Sequence, residues 1–241
     1  DSLEVMPGDL QLLEQPVLGM YSMNCRHLLS LVSSLALAMV VPSAASAQSG
    51  GPNTYGYSWN TVALDYVAPP AGTPLLSGAM SDDGEAAVTL PSSWPNDFPY
   101  YGGSFSGLTL SSNGSISFSL GIQLSFSNSC APTGTSAPQI MALWDDLNPV
   151  ATGSSGGIYG WHDTAGGADR FILAWEDVPK YASTNGDGAT FQVHLYPSGA
   201  IEMHYVDINF ANALYDFGAS ATIGIQDVST AVSVDPLQYS C

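Results

Sequence analysis

Asp145-Asp146, with Asn148 two residues on and a Gly-rich segment from Gly153 to Gly157 behind it, places hard oxygen donors on one loop where backbone carbonyls are also at hand. Calcium takes roughly six to eight such oxygens in flexible geometry, so Asp145, Asp146 and Asn148 are candidate calcium ligands. Asp82-Asp83-Gly84-Glu85 and Asn185-Gly186-Asp187-Gly188 are similar acidic loops. None has the spacing of an EF-hand, and the expectation for each is an Asx turn in which the side chain caps nearby N–H groups, with calcium as the weaker reading. No other cofactor is indicated.

The carboxylates also admit an enzyme reading. Glu176 or Glu202 with Asp145 could serve as acid and nucleophile of a glycosidase, if folding set them about 5 to 10 Å apart across an aromatic-lined groove. No run of carboxylates on one strand face supports this, and Glu176-Asp177 stands at a strand end before Pro179. The neutral surroundings of Cys130 argue against a thiolate nucleophile. Adjacent strand residues such as His162 and Asp163 point to opposite faces, and Gly153 to Gly157 has neither the Lys nor the helix of a phosphate loop.

These residues must be positioned by strands. Short runs alternate apolar with polar and are punctuated by Gly, Pro, Asn and Asp, which is the signature of an all-β, two-layer antiparallel β-sandwich in a single domain. Strands are expected at 62–67, 85–90, 108–111, 115–120, 139–144, 157–161, 171–176, 190–196, 200–206, 222–226 and 231–234. Trp144 and Trp175 each end an apolar run and are expected in the core. Asn113-Gly114 predicts a two-residue type I′ hairpin turn.

One hairpin can be read in register. A three-residue loop Pro197-Ser198-Gly199, with Gly199 left-handed, pairs Leu195 with Ile201, Val193 with Met203 and Phe191 with Tyr205, so every apolar side chain falls on one face. The same register sets His194 opposite Glu202 and Gln192 opposite His204 on the other face. Solvated cross-strand pairs are the expectation there, since a zinc site would need a further ligand and a supporting shell.

Upstream, Arg26-His27, the apolar run 28–41 and Ser43-Ala-Ala-Ser-Ala47 follow one another as the basic, apolar and cleavage regions of a secretory signal peptide, a helical segment over 23–47 cut after Ala47. The apolar run falls short of the roughly 20 residues of a membrane span, so no membrane insertion is expected after cleavage. Residues 1–22 then read as disordered upstream read-through, 48–60 as a flexible leader or early edge strand, and 61–241 as the folded domain. Beyond Ala47 the 21 acidic residues fall to 17 and the three basic ones to two, Arg170 and Lys180. Such a balance disfavours nucleic acid and anionic lipid as partners. Cleavage also removes Cys25 and leaves Cys130 and Cys241 as an even pair, expected as a disulfide in an oxidising compartment.

Phe98-Pro-Tyr-Tyr-Gly102, Leu108-Thr-Leu-Ser-Ser-Asn-Gly114, Ile140-Met-Ala-Leu-Trp-Asp-Asp146, Phe171-Ile-Leu-Ala-Trp-Glu176, Thr190-Phe-Gln-Val-His-Leu-Tyr196 and Gly199-Ala-Ile-Glu-Met-His-Tyr205 follow in order. The series resembles the nidogen-like extracellular module, and more closely the β-sandwich modules of secreted and surface proteins of bacteria. That resemblance implies a non-catalytic role in adhesion, ligand binding or envelope and matrix structure, with an extracellular protein or glycan as partner. The alternative is an extracellular carbohydrate-active enzyme or lectin-like domain with an acidic, calcium-bearing groove.

Overall fold

The computed structural model describes residues 2–6, 9–11, 48–120, 124–134, 137–151, 154–182, 187–228 and 236–241. The segment 23–47 expected as a signal peptide, the strand expected at 231–234 and Asn185-Gly186 lie outside them. Two large sheets hold most of the strands. The larger comprises β1 (Ser2–Met6), β2 (Asp9–Gln11), β3 (Ser49–Gly50), β4 (Ser58–Val62), β11 (Gly157–Asp163), β12 (Arg170–Pro179), β13 (Gly188–Leu195) and β14 (Ile201–Asp207), in the order β11-β12-β13-β14-β1-β2-β4-β3. The smaller runs β16-β15-β10-β9-β8-β5, from β5 (Glu85–Thr89), β8 (Gly107–Ser111), β9 (Ser115–Ser117), β10 (Gln139–Trp144), β15 (Thr222–Gln226) and β16 (Leu237–Ser240). A separate ribbon pairs β6 (Phe98–Tyr100) with β7 (Gly103–Phe105). All described pairings are antiparallel except β2 with β4, which is parallel and involves the upstream segment. Helical turns among the described residues are three short 3₁₀ segments.

The alternation read in the sequence builds one core between the two large sheets. Phe191, Val193, Leu195, Ile201, Met203, Leu173 and Trp175 of the larger sheet share it with Leu110, Ile116, Ile140 and Leu143 of the smaller. Burying each such side chain is worth roughly 1.5 to 3 kcal/mol, so this layer dominates the stability of the fold. Polar atoms that enter it are matched across the gap. Trp175 stacks on Phe191 with centroids 4.7 Å apart and donates from its indole to Ser111 O at 3.1 Å, and the Tyr205 hydroxyl donates to Ala142 O. Trp144 is also buried, but under the loop beside it, where its indole donates to Ser125 O at 2.7 Å.

The β13–β14 hairpin has the register read from its sequence, Leu195 with Ile201 through Gln192 with His204, with Gly199 at φ 89°. The β8–β9 turn differs. Leu110 pairs with Ile116, which leaves three residues in the loop, and of Asn113 and Gly114 only Gly114 has a positive φ, 72°. The tip is wedged against β10, where Gly114 O accepts from Ala142 and Leu143 N–H and a Cβ on Gly114 would stand 2.1 Å from Leu143 O. Packing therefore sets this turn, and the dipeptide's own preference yields. The strand expected at 62–67 ends at Val62, and residues 63–67 continue as a strap outside the sheet. Cys130 and Cys241 are bonded, with Cα atoms 5.3 Å apart across 111 positions of sequence.

Candidate functional site

The residues with the most chemistry gather on the outer face of β11–β14, beneath the strap. Side chains alternate along each strand, so the register that buries Phe191, Val193 and Met203 in the core turns Gln192, His194, Glu202 and His204 to the opposite face. That face is not solvated as the sequence suggested. Gln192, His194 and His204 are fully buried, because the strap lies across them.

Each contact of the strap can be named. The Asp65 carboxylate takes Arg170, and the Asp65 N–H donates to His204 Nδ1 at 3.2 Å. Val67 N–H donates to Gln192 Oε1 at 3.2 Å, and Gln192 Nε2 donates back to Val67 O at 2.7 Å. The Val67 side chain packs on a small apolar cluster of Trp161, Ile172, Ala174 and Tyr159. Tyr66, more exposed, reaches over the face and donates from its hydroxyl to Glu176 at 2.9 Å.

Arg170 anchors the network beneath. Its Nε donates to Asp163 at 2.9 Å and its Nη1 lies 3.3 Å from His194 Nδ1 and 3.4 Å from the Tyr196 hydroxyl. Burial works to lower the guanidinium's pKa, but Asp65, Tyr196 and Asp163 outweigh it and the net direction is up. Burial likewise would raise Glu202, yet the imidazoles of His194, 3.6 Å away, and His204, with hydrogen bonds from His204 and Tyr196, hold it well below the usual carboxylate range. His194 is pushed down to about 4, first by burial and then by His204 and Arg170, with Glu202 opposing. Glu176 moves the opposite way from Glu202, raised by burial against its bonds to Gln192 and Tyr66.

His194, Glu202 and His204 offer ligand atoms within 4.8 Å of one another, the spacing of a metal site. The protons contradict that use. Val67 fixes the Gln192 amide, so Gln192 Oε1 must take the proton of His194 Nε2 at 3.1 Å. The Asp65 N–H occupies the lone pair of His204 Nδ1, so His204 carries its proton on Nε2, aimed at Glu202 Oε2 at 2.9 Å. A metal there would meet an N–H from His204 and the guanidinium beside His194.

The calcium candidates are not brought together. Asp145 is buried and bound by Lys180 and the Ser220 hydroxyl, while Asn148 Oδ1 accepts from Val150 N–H at 2.9 Å in an Asx turn. Asp146 instead meets Asp82 and Asp83, with carboxylate oxygens within 4.8 Å, and Asp83 is braced by Asn113 Nδ2 at 2.9 Å. Burial raises the Asp146 carboxyl; Lys180 opposes, and Asp83, Asp82 and Asp145 add to the rise. Asp145, Glu176 and Glu202 are each engaged by other side chains, Asp145 by Lys180 and Ser220, Glu176 by Tyr66 and Gln192, and Glu202 by Tyr196 and His204. His162 finds Asp169 at 2.8 Å, shared with the Trp94 indole at 2.7 Å. Gly153-Ser-Ser155-Gly-Gly157 has the spacing of a nucleophile elbow, but Ser155 donates to Asp177 at 2.6 Å and a strand follows where an elbow needs a helix.

A family model described as NIDO related matches residues 56–240, which covers both large sheets' principal strands and the strap. The chain belongs to the NIDO-related family. The comparisons with curated proteins and with solved structures returned no match. Family membership and the Cys130–Cys241 bridge both point to an extracellular module.

Sequence reasoning about this NIDO-related domain missed Asp65, Arg170 and Gln192 as a unit. One signal was present: beyond Ala47 the chain has only two cationic side chains, Arg170 and Lys180, and both are buried against carboxylates. A residue so scarce is spent where an unpaired carboxylate would otherwise be costly.

Proposed function

We propose that this NIDO-related chain is a secreted β-sandwich module that works by binding an extracellular protein or glycan and carries no catalytic activity of its own. The observation that carries the reading is the commitment of the polar groups on the β11–β14 face. Arg170, His194, His204, Glu202 and Gln192 hydrogen-bond one another or the strap, which is how recognition surfaces are held rigid. In this reading residues 23–47 direct export, cleavage follows Ala47, and the disulfide forms outside the cytoplasm.

Expression of the full chain in a secreting host tests it. Exported protein should begin at Gln48 and have both remaining cysteines unreactive to alkylation without reduction. Retention of residues 23–47 in the folded product would overturn the export reading. One observation favours a carbohydrate-active enzyme instead: Glu176 and Glu202 are shifted in opposite directions, as the acid and nucleophile of a glycosidase are. Release of reducing sugar from polysaccharide, abolished by Glu176→Gln, would establish that reading and end the non-catalytic one.

A further inference from the structure

We infer that the outer face of β11–β14 is a recognition site for an extended peptide of the form Asp-x-Val, and that the strap is its resident intramolecular occupant. This rests on the binding-module reading and names the partner of that site.

The strap is held the way extended ligands are held. Residues i and i+2 of an extended chain point to one side, and here Asp65 and Val67 both face the sheet, while the exposed Tyr66 between them reaches over it to Glu176 by its hydroxyl. The protein side chains read the main chain at both anchor positions, His204 at the Asp65 N–H and Gln192 at the N–H and C=O of Val67. Two pockets read the side chains. Arg170, itself bound to buried Asp163, takes the carboxylate, and the Trp161, Ile172 and Ala174 cluster takes the branched apolar group. Main-chain bonds for affinity with alternate side chains for specificity is the general scheme of extended-peptide recognition.

The occupant is superficial and the site is not. Residues 63–66 are exposed, whereas Gln192, His194 and His204 beneath them have no exposure at all. The stretch after the strap, Ala68-Pro-Pro-Ala-Gly72-Thr-Pro74, contains three prolines and turns on Gly72 at φ 88°, a segment that cannot extend the strap into a regular strand. Asp65 is the single charged residue between Thr61 and Ser81. The partner peptide therefore carries one Asp and no further acidic residue, which a chain with 17 acidic and two basic residues beyond Ala47 would repel. A tethered strap has an effective concentration on the order of mM, so a partner displaces it by adding contacts beyond the Asp-x-Val core.

The test uses the full chain and a fluorescein-labelled peptide with the sequence of residues 63–69. Asp65→Ala in the protein loosens the resident strap and leaves the site intact. Saturable binding by fluorescence anisotropy is expected with the Asp65→Ala chain, at least tenfold weaker with the wild-type chain, and at least tenfold weaker when the peptide's Asp is replaced by Ala. Adding Gln192→Ala to the Asp65→Ala chain should abolish it. No saturable binding, binding indifferent to the peptide's Asp, or exchange of the strap between two copies to give dimers would overturn the inference. Should the Asp65→Ala chain fail to fold, hydrogen exchange on the wild-type chain decides: the Asp65 and Val67 amides should exchange at least a hundredfold faster than those of Val193 and His194. Equal protection would make the strap a permanent part of the core. Absence of peptide binding would leave export and lack of turnover standing, whereas cleavage of the peptide would sink the module reading itself.

Discussion

Gln192 grips Val67 from both sides, accepting its N–H at 3.2 Å and donating to its C=O at 2.7 Å, across 125 positions of sequence. A single side-chain amide thus does for the strap what a neighbouring strand does for a ladder. Replacing it should be felt locally. Gln192→Ala is expected to cost about 1 to 2 kcal/mol in urea unfolding, with faster exchange at the Val67 amide and unchanged exchange in β9 and β10. Unchanged stability and protection would show that the grip contributes nothing.

Acid should weaken the fold in a defined window. With His194 near 4 in the folded protein and 6.5 when unfolded, the unfolded chain binds the extra proton first, so stability is lost as pH falls from about 6.5 to 4, by roughly 3 kcal/mol in all. Glu202, depressed in the fold, adds a further loss below its ordinary range, while the raised Glu176 gives some back as it protonates. Melting temperatures at pH 7 and pH 4.5 should differ by several degrees in the wild-type chain, and by less in His194→Gln. A flat profile between those values would contradict a buried neutral imidazole.

Lys180 and Asp145 form the other buried ion pair. Lys180→Met strands a carboxylate that retains only the Ser220 hydroxyl and the Asp146 N–H, and should cost roughly 3 to 5 kcal/mol. Adding Asp145→Leu should recover most of that loss. Additive losses in the double variant would mean that the two residues do not act as a pair.

The disulfide closes a loop whose ends are 111 positions apart. In the chain-entropy account a loop of this size is worth about 4 to 5 kcal/mol, so the Cys130→Ser, Cys241→Ser double variant should unfold at markedly lower urea than the oxidised wild type. Coincident curves would show that the bridge joins segments already fixed by β15 and β16.

Much of this fold was legible because its strands obey a period of two. The β13–β14 register followed from Leu195, Val193 and Phe191 on one side and Ile201, Met203 and Tyr205 on the other, together with Gly199. The chemistry on the reverse face was misread for a physical reason. His194 and His204 look solvated to any rule that knows only their own strands, since what covers them is a non-periodic segment well over a hundred residues away. The Asn113-Gly114 turn failed for a related reason: its local preference gave way to contacts with Leu143 and Leu147 that no short window contains. Asp145 and Asp146 were adjacent in sequence but serve different neighbours, one Lys180 and the other the Asp82-Asp83 loop.

With Arg170 and Lys180 both buried, the chain beyond Ala47 offers solvent almost no lysine or arginine. Its exterior is a field of one sign, so two copies repel over the reach of that field, about 8 Å at physiological ionic strength and farther in dilute salt. A basic partner is drawn in from a distance and arrives more slowly as salt is added. Crowded on a surface, such molecules keep one another apart and leave their strap faces open to the medium.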